Sequence, residues 1–112
     1  MEVHPGVFVS KVSTEDFRPD PEIGGDAEEH VLFDDGTLRA GLSRFPDNDE
    51  PDPPVWELPA TQVLLVLEGS ARVEIADGPT IELETGDMAA LPKGAKTRWH
   101  LTRPFKEMWV LA

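Results

Sequence analysis

Few side chains in this sequence are of a type that does chemistry, and their spacing limits what they can do. The three histidines, His4, His30 and His100, are far apart along the chain and do not suggest a ligand set. There is no cysteine, which excludes disulfides, thiolate metal sites and a cysteine nucleophile. Ser43 and Ser70 have no neighbouring base to activate a hydroxyl. The glycines are dispersed and end β-prone runs, so no glycine-rich loop is present to cradle a phosphate. Arg39 and Arg44 lie five apart on one extended run and must face opposite ways. Either one of them points inward, where a guanidinium favours a carboxylate ligand, or both pair with the abundant surface acids.

The elements that must position these residues are strands. Gln62–Leu67, Ala71–Ala76, Thr80–Glu84 and Met88–Leu91 are β-prone runs of ordinary strand length, set off by glycines at 69, 78, 86 and 94. Alternation in Arg72-Val73-Glu74-Ile75 and Thr80-Ile81-Glu82-Leu83 predicts that Val73, Ile75, Ile81 and Leu83 share one buried face. Asp77-Gly78 between them is a hairpin turn signal. Upstream, Gly6–Val12 reads as an early edge strand. Residues 13–29 read as a polar loop with one short turn at Thr14–Phe17. His30–Phe33, Thr37–Phe45 and Val55–Leu58 read as further strands. Pro46–Pro54, with four prolines and four acids, is expected as a surface loop over one mouth of a barrel. Lys96–Thr102 and Lys106–Leu111 are expected as a closing hairpin across Arg103-Pro104-Phe105. The whole predicts a single all-β domain over residues 1–112, an antiparallel β-barrel or double-sheet jelly roll. Its barrel core is expected over 34–112, behind an N-terminal strand and acidic loop over 1–33.

A chain of 112 residues can bury one core without staples. Its formal charge is −12, a poor surface for nucleic acid, whose phosphates must be neutralised. Residues 1–57 hold 15 acids and 4 bases, while half of all the bases fall in the last twenty residues. Acidic and basic faces are therefore expected to meet, within the monomer or across a dimer, or else to be solvated separately. No hydrophobic run approaches a membrane span and the start lacks the pattern of a signal peptide, so a cytoplasmic protein without a membrane partner is expected.

The turn residues carry a family resemblance. Gly86, Pro92 and Gly94 fall in register with the second cupin motif, G-x5-P-x-G-x2-H-x3-N, and Leu67-Glu68-Gly69 matches the close of the first, which ends E-x6-G. Gly94-Ala95-Lys96-Thr97-Arg98-Trp99 and Asp35–Gly41 are similar to the branch that holds ureidoglycine aminohydrolase and the ethanolamine-utilisation cupin. The resemblance, over roughly residues 34–112, implies a jelly-roll barrel with inward strand residues holding a metal. The glutamate position falls at Gln62, the last histidine at Thr97, and the asparagine at Leu101. The paired histidines fall at Trp56 and Leu58, or at Val55 and Glu57 in a register one residue longer. Indole, aliphatic, amide and hydroxyl groups are poor transition-metal donors, so no metal and no other cofactor is expected.

On that resemblance the barrel interior holds Trp56, Leu58, Gln62, Thr97 and Trp99, with Met108 or Trp109, while His100 points outward. This lining suits a small-ligand pocket, and equally a filled core. The favoured function is a metal-free cupin that binds a small polar or carboxylated metabolite as a sensor or accessory protein. The alternatives are an enzyme of the ureidoglycine aminohydrolase or ethanolamine-utilisation type, and a dimeric structural module. A homodimer is expected, with the strand Val7–Val12 pairing or swapping at an exposed sheet edge.

Overall fold

Sixteen consecutive residues near the C-terminus form the strand on which the molecule is built. In the computed structural model, which describes residues 1–46 and 53–112, there is no helix among the described residues. The strands are β1 (Glu2–His4), β2 (Val7–Phe8), β3 (Arg18–Pro19), β4 (Glu28–Asp34), β5 (Arg39–Phe45), β6 (Trp56–Glu57), β7 (Gln62–Ile75), β8 (Thr80–Glu84), β9 (Met88–Leu91) and β10 (Lys96–Leu111). β1 and β2 make a separate hairpin, and the others form one sheet in the order β3-β4-β5-β10-β7-β8, with β6 on β10 and β9 on β7. All pairings are antiparallel.

The two long strands set the shape. β10 pairs with β7 from Thr97↔Ile75 to Leu111↔Gln62, with register shifts between Thr102 and Glu107. One half of this ribbon carries β6 and β8, the other β5 and β9. Along β10 the odd-numbered residues keep a single inward phase. Thr97, Phe105, Glu107 and Trp109 are buried, and Trp99, Leu101, Arg103 and Leu111 line the same interior space. In β7 the inward phase switches from Gln62, Leu64 and Val66 to Ala71 and Val73. An odd residue has been inserted, and Gly69, with φ +77°, lies in the switch. The two halves of the ribbon therefore turn the same apolar face toward each other, and Leu64, Val66, Ala71, Val73, Leu83, Leu91, Phe105 and Trp109 form one cluster between them. The architecture is all β and antiparallel, a jelly-roll barrel, as the sequence predicts.

Several local expectations change. Gln62–Leu67 and Ala71–Ala76 are one strand and not two, because Gly69 makes a bulge inside a continuous ladder rather than a turn. The closing hairpin is likewise one strand, β10, because the bulge in β7 lets the partner pass Pro104, which has no N–H to pair, without reversing direction. Gly6–Val12 is not an edge strand of the sheet; only Val7–Phe8 is extended, and the tight turn at Pro5-Gly6 (Gly6 φ +78°) folds it back on Glu2–His4. The sheet begins at Arg18, inside the stretch expected to be loop, because Arg18–Pro19 pairs with Glu28–Glu29. The expected loop Pro46–Pro54 lies largely outside the described residues. β8, β9 and the Asp77-Gly78 turn agree with the sequence reading, and Val73 and Leu83 are buried with Ile75 and Ile81 half-buried. No helix among the described residues is long and apolar enough to cross a membrane.

The segment before β3 is pinned to the outside of the sheet. His30 Nε2 bonds Ser10 Oγ and Nδ1 bonds the Asp16 carbonyl, both at 2.8 Å. Arg44 donates to Glu15 and Glu28 and lies over the Phe17 ring, and Lys106 donates to the Val12 carbonyl.

A Cβ at Gly69 would stand 2.5 Å from the carbonyl oxygens of both Thr102 and Pro104, whereas one at Gly86 (φ +94°) meets nothing within 4 Å. Gly86→Ala should cost about 1–2 kcal/mol, the strain of a left-handed alanine alone. Gly69→Ala adds a backbone clash at the bulge and should cost about 3 kcal/mol or more, read from urea unfolding midpoints.

Candidate functional site

The face that β4, β5, β7 and β10 turn inward is not uniformly apolar. Ser43 on β5 stands directly opposite Glu107 on β10 and Glu29 on β4, so the three form a polar row across adjacent strands. All three are buried. They belong to the wall of a cavity of about 280 Å³, which all three tryptophans of the chain also line. On one side the wall is completed by Asp20, Glu22 and Ile23, on the other by Pro53, Pro54 and Val55.

The 20–27 turn that supplies the first of these sides is built on Asp20. Its Oδ1 accepts from the N–H groups of Glu22 and Ile23, and its backbone bonds Ala27 and Gly24. The turn is tied to β10 by Arg103, whose Nη1 donates to both carboxylate oxygens of Asp26 at 2.7 and 2.9 Å. A base of the C-terminal stretch thus meets an acid of the N-terminal half within one molecule.

At the floor, Gln62 is 2% exposed and Glu107 7%. Gln62 Nε2 donates to Glu107 Oε1 at 3.4 Å, and Gln62 Oε1 and Glu107 Oε2 have no hydrogen-bond partner. Burial pushes the Glu107 carboxyl up to about 8 against the opposing pull of the Gln62 bond, so it keeps its proton at neutral pH. Glu29 is raised too, by burial first and by Asp20, with Arg39 and Arg18 acting against the shift. Most donors in the wall are engaged. Trp109 Nε1 donates to Ser43 Oγ at 2.7 Å and Trp99 Nε1 to Thr97 Oγ1 at 2.8 Å. Arg39 donates to Asp34 at 3.0 Å, approaches Glu29 at 3.7 Å and lies 5.5 Å over the Trp109 ring.

Of the residues expected inside, Trp56, Gln62 and Trp99 line the cavity together with Trp109. Leu58 is a core residue, packed in the cluster between the sheet halves. Thr97 is buried behind Trp99, where its hydroxyl donates to the Trp56 carbonyl while accepting from the indole. Arg39 is the inward arginine and Arg44 the outward one. His100 faces outward and pairs with Glu74. Glu107 and Glu29 were not singled out from the sequence, and Ser43 was considered only as a nucleophile. For Glu107 the signal was present, since it sits at the apolar phase of Phe105-x-Glu107-x-Trp109-x-Leu111.

Residues 54–107, just under half of the chain, match the EutQ-like cupin domain family. Among solved structures, an RmlC-like cupin from Shewanella frigidimarina superposes with a TM-score of 0.69 at 23% identity, over 93% of this chain and 87% of that one. The chain has the cupin fold. A proposed ethanolamine-utilisation protein Q from Salmonella typhimurium gives a TM-score of 0.67 at 20% identity, over 85% of this chain and 76% of that one. A proposed mannose-6-phosphate isomerase from Ralstonia eutropha gives 0.71 at 17% identity, over 93% and 96%. No curated protein matches the sequence. At these identities the structural likenesses carry the fold of this chain and not its activity.

The metal that the resemblance implies does not fit these residues. Trp56 faces the cavity and Leu58 the core, while Glu57 is exposed, which selects the shorter of the two registers considered. The expected ligand positions thus carry indole, isobutyl, amide and an already bonded hydroxyl, a set without a strong donor for a divalent transition metal. Among the described residues no three histidine, aspartate or glutamate side chains converge to hold an ion.

Glu107 predicts the pH dependence of this protein's stability. Its carboxyl is raised in the folded state, so between about pH 4.5 and 8 the folded chain binds more protons than the unfolded one, and stability falls as pH rises. Each unit in that window should weaken the fold by up to about 1.4 kcal/mol. Glu107→Gln keeps the shape and removes the titration. Its urea midpoint should exceed that of the unmodified protein by a clearly larger margin at pH 8 than at pH 5.

Proposed function

We propose that this protein is a metal-free cupin that binds a small polar metabolite in the barrel, in a sensor or accessory role. The observation that carries this reading is the pair of buried, unpartnered atoms at the cavity floor, Gln62 Oε1 and Glu107 Oε2. A filled core would not retain such groups, since each unsatisfied one costs about 1–3 kcal/mol. A ligand that bonds them recovers that energy. The aromatic walls supply flat apolar contact, and the few convergent polar groups set orientation, which is the usual composition of a small-molecule site.

The arginines bear on the ligand's charge. Arg39 and Arg103 are both paired with acids, so the inward guanidinium that favoured a carboxylated ligand is already neutralised. The same pairing argues against carrying over a phosphorylated sugar from the isomerase-like neighbour. The alternative of an enzyme rests on Glu107, which titrates near neutrality and is suited to moving a proton.

Thermal-shift screening of polar metabolites is the test. A ligand at a hundred times its dissociation constant adds about 2.7 kcal/mol. Gln62→Leu should leave the unliganded protein as stable or more so, because it removes a poorly satisfied buried amide, and should abolish the ligand-induced shift. A ligand whose shift survives this change binds outside the barrel.

We also propose that the chain is a homodimer. Val3, Val7, Val9 and Val12 of the N-terminal arm are each about half exposed, an apolar strip that a second copy would cover. Light scattering should give twice the chain mass, and removal of residues 1–12 should return the monomer.

A further inference from the structure

The cavity lining is unbalanced in one respect: both buried atoms without a hydrogen-bond partner are oxygens, and carboxyls outnumber guanidiniums in its wall. The indole N–H groups of Trp99 and Trp109 are committed to Thr97 and Ser43, and the guanidiniums of Arg39 and Arg103 to Asp34 and Asp26. What remains at the floor is the Gln62 carbonyl oxygen and the second oxygen of Glu107, and the rest of the wall contributes three further carboxyls, Asp20, Glu22 and Glu29. A ligand that fits this inventory brings donors and positive charge.

We propose, building on the reading of the barrel as a binding site, that the cavity takes a small organic ammonium compound whose charged nitrogen bonds Gln62 Oε1 and Glu107 Oε2 and whose carbon skeleton lies against Trp56 and Trp99. Once Glu107 is ionised, the nitrogen supplies two N–H donors to two oxygens that have no partner in the protein. The indole faces attract a cation through their quadrupole and cover its apolar part. Gln62 Nε2, bonded to the other oxygen of Glu107, holds the carboxyl in place for this contact.

Charge is conserved by a proton exchange. The empty cavity keeps Glu107 neutral because burial disfavours the carboxylate. An arriving ammonium ion makes the carboxylate the favoured form, and the proton leaves Glu107 for solvent as the ion pair forms. The groups that face Glu107 from the surrounding elements are Gln62 on β7, Ser43 and Arg39 on β5, Glu29 on β4, Arg103 on β10 itself, and Asp20 and Glu22 of the 20–27 turn. Both arginines are paired and the acids do not oppose a cation, and Glu29, also raised by burial, responds to it in the same direction as Glu107.

Three probes of one shape separate the possibilities: benzylammonium, benzyl alcohol and benzoate. The readout is the indole N–H signals of the full-length protein in two-dimensional NMR, where all three tryptophans report on the cavity. Benzylammonium should shift them saturably and bind at least tenfold more tightly than benzyl alcohol, with no saturable shift from benzoate. Because a proton must leave, its affinity should rise about tenfold per pH unit from pH 6 to near 8 and then level off. Glu107→Gln should remove that slope and bring the cation's affinity down to that of the alcohol. The pH profile of the unmodified protein stands alone if the variant does not fold. Alcohol or benzoate binding as tightly as the cation, or a flat pH profile, overturns the ligand class while leaving the barrel a binding site. Silence with all three probes removes the cavity as a site, and the proposal with it.

Discussion

The pairing of β7 with β10 along their whole lengths is the constraint on which the rest of this protein depends. Two strands of that length cannot stay flat and also enclose a core, so the ribbon must bend, and it bends where Gly69 lies under the carbonyls of Thr102 and Pro104. The bulge changes the inward phase of one strand and leaves that of the other intact. As a result Gln62 and Glu107, 45 residues apart in the chain, arrive side by side on the inner surface. The floor of the cavity is a product of that register.

This dependence explains what was legible in the sequence. β8, β9 and the Asp77-Gly78 hairpin follow from local alternation and turn chemistry, and these were readable. Gly69 was not, because a glycine between two β-prone runs looks the same whether it turns the chain or bulges a ladder. What separates the two is the backbone of Thr102–Pro104 across the sheet, which is not local information. The same blindness split β10 into two. The site was partly readable through the cupin motifs, which place Gln62, Trp56 and Trp99. Glu107 lies at the very end of the matched stretch, at a position those motifs do not mark, and Glu29 is one of seven acids in the stretch 13–29. Their importance comes from burial, which composition does not reveal.

The distribution of charge takes a different meaning with the fold in place. The acids of the N-terminal half do not form a separate solvated surface alone. Glu15 and Glu28 engage Arg44, Asp34 and Glu29 attend Arg39, and Asp26 holds Arg103. Each arginine of the barrel wall is thereby fixed from outside its own strand. The cavity is left with acids in excess and its cations occupied, and its preferences among ligands follow from that ledger rather than from the protein's net charge.

β10 is the last strand in sequence and yet sits in the middle of the sheet, with β5 and β6 on one side and β7 on the other. During synthesis, β3 to β5 and β7 to β9 can each form small meanders, but nothing joins them until residues 96–111 have left the ribosome. Up to that moment the nascent chain carries two half-sheets with open edges facing each other across a missing strand, and these are the surfaces on which a chain mispairs with its neighbours. The order in which the strands are made thus leaves mispairing as the hazard of this fold until β10 is in place.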